Sequence, residues 1–117
     1  MAAMSVSVSD GPAIVAGYEY KLQLETDSPV FPEGCSLTAH VRARVSDSTV
    51  IAALSTGNGG LVRISDTVVE ITISAAATAS LLPGSVVMDM VRTDLEPDRH
   101  LNFTLEIPVL RPVTRGL

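Results

Sequence analysis

The chain has 117 residues, of which 46% are hydrophobic and 18% charged, and its formal net charge is −5. This length fits one domain with one core, and the composition is unlike that of a disordered segment. The negative charge and the scarcity of aromatic residues argue against a nucleic-acid partner and against aromatic platforms for sugars. A single cysteine excludes an intrachain disulfide framework and a cysteine-rich zinc site.

Apolar and polar side chains alternate along most of the chain, which predicts β-strands with one buried face. The predicted strands are, in chain order, 5–8, 18–25, 37–45, 49–54, 61–64, 69–73, 86–91 and 101–109. The run at 86–91 is more continuously apolar, which is typical of a central strand covered on both faces. Pro108 cannot donate to a strand ladder, so the last strand is expected to lie at a sheet edge or to leave the sheet there.

One segment departs from the strand pattern. Residues 74–82 are rich in alanine, Ser74 can cap a first helical turn, and Pro83-Gly84 ends it. About two helical turns fit here and would cross from one sheet to another. The whole pattern predicts an all-β fold: an antiparallel β-sandwich of about seven or eight strands with one short helical crossover. A small barrel is the alternative, because turn spacing does not separate the two.

The titratable residues do not form a recognisable catalytic or metal-binding pattern. His40 lies on the polar face of a predicted strand and His100 in a turn, and both are expected to be ordinary surface or loop residues. They could also meet in space and bind a metal with a carboxylate, although their spacing does not favour it. Acidic residues at 94–98 alternate as in a calcium loop, but Pro97 interrupts them and the required glycine is missing. They indicate a solvated acidic turn.

Two further features have structural explanations. The glycine-rich stretch 57–60 is followed by a predicted strand, not by the Gly-Lys-Ser/Thr and helix of a phosphate-binding loop, so it indicates a hairpin turn. Cys35 has no lysine or helix start nearby to lower its pKa, and it is expected to be a small buried hydrophobe. The sequence therefore predicts a non-enzymatic protein with no catalytic residue, no cofactor and no metal.

Arginine is the residue type that points most directly to a partner. Its planar guanidinium pairs with carboxylates and stacks, and it is enriched at protein interfaces. Arg42, Arg44, Arg111 and Arg115 are therefore candidate partner contacts, together with Val113 in the C-terminal tail. Alternatively, these arginines pair with nearby acids on the surface, where such pairs contribute little to stability.

The order of several segments resembles that of known phage proteins. These segments are YEYKLQL at 18–24, FPEG at 31–34, LTAHVR at 37–42, ITIS at 71–74, LPG at 82–84, VMDMVRTD at 87–94 and PVTR at 112–115. The layout resembles small immunoglobulin-like structural proteins of tailed bacteriophages and prophages, and is similar to the N-terminal domain of phage baseplate upper proteins. The resemblance implies an immunoglobulin-like β-sandwich over residues 1–117, with extended termini at 1–12 and 108–117.

The same resemblance implies a role in the virion. We expect a capsid decoration or cement protein that binds the head surface, where repeated weak contacts on a symmetric shell add up to tight binding. The alternatives are an accessory protein of the tail or baseplate and a glycan- or receptor-binding module. The expected partners are other virion proteins and further copies of this chain, with residues 1–9 and 113–117 as segments that could add a strand to a neighbour. Nucleic acid and membrane are not expected as partners, and the protein would be made in the bacterial host cytoplasm and end in the virion.

Overall fold

The structure is a computed structural model that describes the backbone of residues 6–9 and all of residues 13–114. Within these residues the chain forms nine strands and one short helix. The strands are β1 (Val6–Ser9), β2 (Ile14–Val15), β3 (Tyr20–Thr26), β4 (Leu37–Arg42), β5 (Ala52–Ser55), β6 (Leu61–Ser65), β7 (Val68–Ile73), β8 (Gly84–Arg92) and β9 (Arg99–Leu110). The helix α1 (Ala75–Thr78) lies between β7 and β8.

The strands form two sheets. Sheet 1 has the order β1–β3–β7–β6, and sheet 2 has the order β2–β9–β8–β4–β5. This confirms the prediction of a mostly β fold with a short helical crossover between two sheets, and β8 is the middle strand of sheet 2. Sheet 2 is mixed, however, because β2 pairs with β9 in parallel, through Ile14 with Val109 and Val15 with Leu110. The prediction of a purely antiparallel fold was wrong here, since a two-residue strand is too short to show an alternation.

The core lies between the two sheets and is built from the inward-facing residues of both. Sheet 1 contributes Leu22, Leu24, Val69, Ile71 and Ile73, and sheet 2 contributes Leu37, Val41, Val86, Met88 and Val109. In β3 the buried and more exposed positions alternate along the whole strand, as the sequence predicts. Because the side-chain period of a strand is two, this alternation also sets which face of each strand turns to the core.

The strand predicted at 37–45 ends early, at Arg42. The Arg42 Nη1 donates to the backbone carbonyls of Asp47 at 3.0 Å and Ser48 at 2.8 Å, which holds the following loop beside the strand. The chain therefore leaves the sheet. Val45, which the alternation predicted to face the core, is instead 78% exposed.

The helical crossover is shorter than predicted, at one turn instead of two. Ser74 caps α1, since its Oγ accepts a hydrogen bond from the Ala77 N–H at 3.2 Å. After Thr78 the chain turns, with the Leu81 N–H donating to the Thr78 carbonyl at 3.0 Å. Leu81 is buried in the core, so burial of this side chain takes the place of a second helical turn.

A side chain closes the outer edge of β5. The Asn58 Oδ1 accepts from the Ser55 N–H, and the Asn58 Nδ2 donates to the Ala53 carbonyl, both at 2.9 Å. These backbone groups point away from β4 and would otherwise be free to pair with another strand. The sequence predicted only a glycine turn here.

Gly60, in the same turn, has no room for a side chain. An added Cβ would lie 2.9 Å from Leu54 Cδ2 and 3.1 Å from Asn58 Oδ1. We expect Gly60→Ala to lower the free energy of unfolding by about 1–2 kcal/mol, because overpacking forces these neighbours to shift. Gly57→Ala is the matched control, since its Cβ would meet only Ser55 Oγ at 3.7 Å. Urea denaturation of both variants checks this, and equal losses would contradict it.

Candidate interaction surface

The strand directions gather the connections at two ends of the molecule. One end, the hairpin end, consists of residues 27–36, 66–67 and 93–98. There the Thr93 N–H donates to the Ser36 carbonyl and the Phe31 N–H donates to the Asp66 carbonyl, both at 2.9 Å. The opposite end, the crossover end, consists of residues 16–19, 43–51, 74–83 and 110–114.

Exposed apolar side chains concentrate at the crossover end. Four of the seven large apolar side chains that the described residues expose lie there: Tyr18, Leu82, Leu110 and Val113. The side chain of Val45, in the loop after β4, lies instead beside His40 and Asp89 on the outer face of sheet 2. Val113 is 95% exposed and Leu82 is 82% exposed. Only β8 separates β4 from β9, and the register sets Arg42 at the end of β4 opposite Val87 and Val87 opposite Glu106, so β4 ends about 10 Å from Glu106, four residues before the end of β9. Concentrated apolar exposure of this kind is typical of surfaces that bind another protein.

Two of the predicted contact residues accompany these apolar groups. Arg44 and Arg111 are exposed at the crossover end, and neither forms an ion pair with another described residue. Their guanidinium groups can therefore pair with carboxylates of a partner. Val113 lies on the same end, whereas Arg42 uses its guanidinium to hold the β4–β5 loop. Arg115 lies outside the described residues.

A buried hydroxyl fixes the crossover end to the core. Thr78 in α1 is fully buried, and its Oγ1 donates to the Tyr18 carbonyl at 2.8 Å and accepts from the Gly17 N–H at 3.1 Å. This ties the segment before β3 to α1. A shallow, mostly apolar groove lies next to it, between residues 13–20 and 112–114. Tyr18 and Val113, two of the exposed side chains of this end, line this groove.

The strand register brings the two histidines to one outer face of sheet 2, beside Asp89. The His100 Nε2 donates to Asp89 Oδ2 at 2.8 Å, and the His100 Nδ1 accepts from the Asn102 N–H at 2.8 Å. The register between β4 and β8 sets His40 opposite Asp89. Spacing along the chain could not reveal this, because three different strands supply the residues. Among residues 6–9 and 13–114, no group of three His, Cys, Asp or Glu side chains is arranged to hold a metal ion.

The acidic turn at the hairpin end contains a tight ion pair. Asp94 accepts hydrogen bonds from Arg92 Nε at 3.2 Å and from Arg92 Nη2 at 2.7 Å. Hydrogen bonding to this guanidinium lowers the pKa of Asp94 to about 2, so the carboxyl is ionised at neutral pH and is unsuited to act as a general acid. Burial raises the pKa of the nearby Cys35 thiol, which disfavours the nucleophilic thiolate.

Comparisons with known proteins assign the chain to no family. The sequence matches no protein-family model, and no curated protein matches it significantly. No helix in the described part of the chain has both the length and the apolar character needed to cross a bilayer.

Proposed function

We propose that this protein is a non-enzymatic structural protein of a tailed-phage virion: a capsid decoration protein that binds the head surface through its crossover end. The observation that carries the proposal is the concentration of exposed apolar side chains at that end, beside Arg44 and Arg111. Burial of the apolar groups supplies affinity, and the arginines select a surface that presents carboxylates. The assignment to a phage is supported by the order of segments between residues 18 and 115, which resembles that of small structural proteins of tailed phages.

The fold that we propose is an immunoglobulin-like sandwich. Immunoglobulin domains place strands A, B, E and D in one sheet and C, F and G in the other, with C′ added in the variable type. The orders β1–β3–β7–β6 and β9–β8–β4–β5 agree with A–B–E–D and G–F–C–C′. In antibody domains a disulfide joins strands B and F. The corresponding strands here, β3 and β8, carry buried apolar residues, such as Leu22 and Met88.

The size of the crossover end suits repeated attachment to a symmetric shell. The molecule measures 45 × 28 × 28 Å, so an end about 28 Å across offers at most roughly the 800 Å² per partner of a standard interface. One such contact gives moderate affinity. Copies that also contact each other on a capsid gain affinity through effective concentration.

The double variant Arg44→Glu/Arg111→Glu tests the docking end. We expect its dissociation constant for capsids assembled without the protein to rise at least about tenfold, because reversed charges would face the carboxylates of the partner. Co-sedimentation with capsids measures this. Arg99→Glu at the hairpin end is the matched control, since Arg99 is also exposed and without an ion pair to any described residue.

Three outcomes would contradict the proposal. The docking end is wrong if the double variant binds as the unmodified protein does, or if Arg99→Glu weakens binding equally. The head assignment is wrong if purified virions carry the protein only in tails or baseplates. In that case the protein is a tail accessory protein.

A further inference from the structure

The turn between β5 and β6 contains the dipeptide Asn58-Gly59, which can react without an enzyme. The backbone nitrogen that follows an asparagine can attack the amide carbon of the asparagine side chain and close a succinimide ring. A bulky side chain on the following residue hinders this attack, and glycine has none. Asn102, the other asparagine of the chain, is followed by Phe103. By sequence, Asn58 is therefore the more reactive of the two.

The fold leaves this dipeptide open to water. Asn58 and Gly59 are both exposed, and a Cβ built on Gly59 would meet no atom of a described residue within 4 Å. The φ of Gly59 is 81°, in the left-handed region where other residues are strained, so the turn favours glycine at this position. The structure thus keeps glycine after Asn58 and shields neither residue from solvent.

The side-chain amide of Asn58 is nevertheless held at both ends. Its Oδ1 accepts from the Ser55 and Gly60 N–H groups, and its Nδ2 donates to the Ala53 carbonyl, all at 2.9 Å. The Asn58 N–H also donates to Ser55 Oγ at 3.1 Å. Ring closure makes the amide carbon tetrahedral and removes Nδ2. The planar arrangement that these hydrogen bonds hold has to be given up before the ring can close.

We propose that Asn58 is a site of spontaneous deamidation, and that the hydrogen bonds at the edge of β5 restrain the reaction in the folded protein. The Gly59 nitrogen loses its proton and bonds to Asn58 Cγ, the bond between Cγ and Nδ2 breaks, and the leaving nitrogen takes up the proton and departs as ammonia. Water then opens the succinimide at either of its carbonyl groups. The net reaction converts the amide and one water molecule into a carboxylate and ammonium.

Conversion changes the outer edge of β5. A carboxylate has no N–H, so the Ala53 carbonyl loses its donor. Opening of the ring at the backbone carbonyl gives isoaspartate, which adds one carbon to the main chain between residues 58 and 59. The net charge of the chain also becomes one unit more negative than −5, because a neutral amide is replaced by an anion. The modified protein is therefore separable by charge and has a less completely bonded β5 edge.

Peptide mass spectrometry of the full chain tests the restraint. The protein is incubated at mildly alkaline pH, either folded in buffer or unfolded in guanidinium chloride, and the mass increase of conversion is followed in the peptides that contain Asn58 and Asn102. We expect Asn58 to convert at least about tenfold faster in the unfolded chain, because the turn must first open locally in the folded protein. Asn102 is the internal control, and in the unfolded chain we expect it to convert more slowly than Asn58.

The variant Ser55→Ala tests which contacts supply the restraint. It removes the hydroxyl that accepts from the Asn58 N–H and leaves the Asn58-Gly59 dipeptide unchanged. We expect Asn58 to convert at least about threefold faster in the folded variant than in the folded unmodified protein, and at the same rate in guanidinium chloride. Ser55→Thr is the matched control, because threonine keeps the hydroxyl and suits a strand, so its rate is expected to be unchanged.

The proposal is overturned if Asn58 stays unconverted in the unfolded chain, since the dipeptide would then be unreactive. Conversion that is equally fast or faster in the folded protein would overturn it too, because the hydrogen bonds would then not restrain the reaction. A folded Ser55→Ala that converts at the rate of Ser55→Thr would have the same meaning. These measurements involve no residue of the crossover end and are independent of the proposed docking.

Discussion

Replacing Phe31 with alanine is expected to lower the free energy of unfolding by about 3–5 kcal/mol. Phe31 is fully buried, although it lies in the β3–β4 connection and not in a strand. Its backbone is held on both sides: the N–H donates to the Asp66 carbonyl at 2.9 Å and the carbonyl accepts from Arg63 Nε at 2.7 Å. The truncated side chain would leave a cavity that this fixed backbone cannot close.

Urea denaturation followed by circular dichroism measures the loss. Since domains of this kind are stable by only about 5–15 kcal/mol, the variant is expected to unfold at a much lower urea concentration. Phe31→Leu is the control, with an expected loss below about 2 kcal/mol because most of the apolar volume remains. A loss under about 1 kcal/mol for Phe31→Ala would show that the connection is not anchored by this ring.

Thr78→Val is expected to lower the free energy of unfolding by about 1–3 kcal/mol. Valine keeps the shape of threonine but removes the hydroxyl that serves the Gly17 N–H and the Tyr18 carbonyl. Both backbone groups would lose their partner. Because Thr78 is buried but Gly17 and Tyr18 are exposed, the net loss for each hydrogen bond is about 0.5–1.5 kcal/mol. Thermal and urea denaturation measure the change.

The control for the hydroxyl is Thr78→Ser, which keeps both hydrogen bonds and removes one methyl group. Its expected loss is about 1 kcal/mol. Equal losses for Thr78→Val and Thr78→Ser would mean that packing of the methyl group, and not hydrogen bonding, holds α1 to the segment before β3.

Strands that are marked by a long alternation of apolar and polar residues could be predicted from the sequence. β3 and β7 alternate over six or more residues, and the structure places both within two residues of the prediction. The start of α1 was also predictable, because the capping side chain of Ser74 and its N–H partner lie within one turn. In these elements the neighbouring residues alone determine the conformation.

Features that depend on side-chain hydrogen bonds to the backbone of other segments could not be predicted from the alternation. β4 ends at Arg42 because its guanidinium binds carbonyls of the next loop, and nothing in the alternation marks that point. The burial of Phe31 depends on Arg63, which is 32 residues away in the chain. The Arg42 contacts span five and six residues and the Arg63 contact spans 32, and in both cases a side-chain hydrogen bond to the backbone overrides the alternation.

The candidate surface was predictable in residue type but not in extent. Arg44 and Arg111 were candidates because of the chemistry of arginine, and Val113 because of its place in the C-terminal tail; the structure puts all three at the crossover end. The exposed Val45 could not be identified, because the alternation assigned it to the core. Leu82 follows a helix that is shorter than predicted, so its exposure was hidden as well.

The closed edge of β5 has a consequence for how large an assembly can become. A sheet that is open on both sides can recruit copies without end, and fibres form in this way. In sheet 2 the amide of Asn58 bonds the Ser55 N–H and the Ala53 carbonyl, which point to the outer side of β5. A strand of another copy that approaches this side of β5 meets two backbone groups that are already bonded, so we expect sheet 2 not to extend from β5 into a fibre.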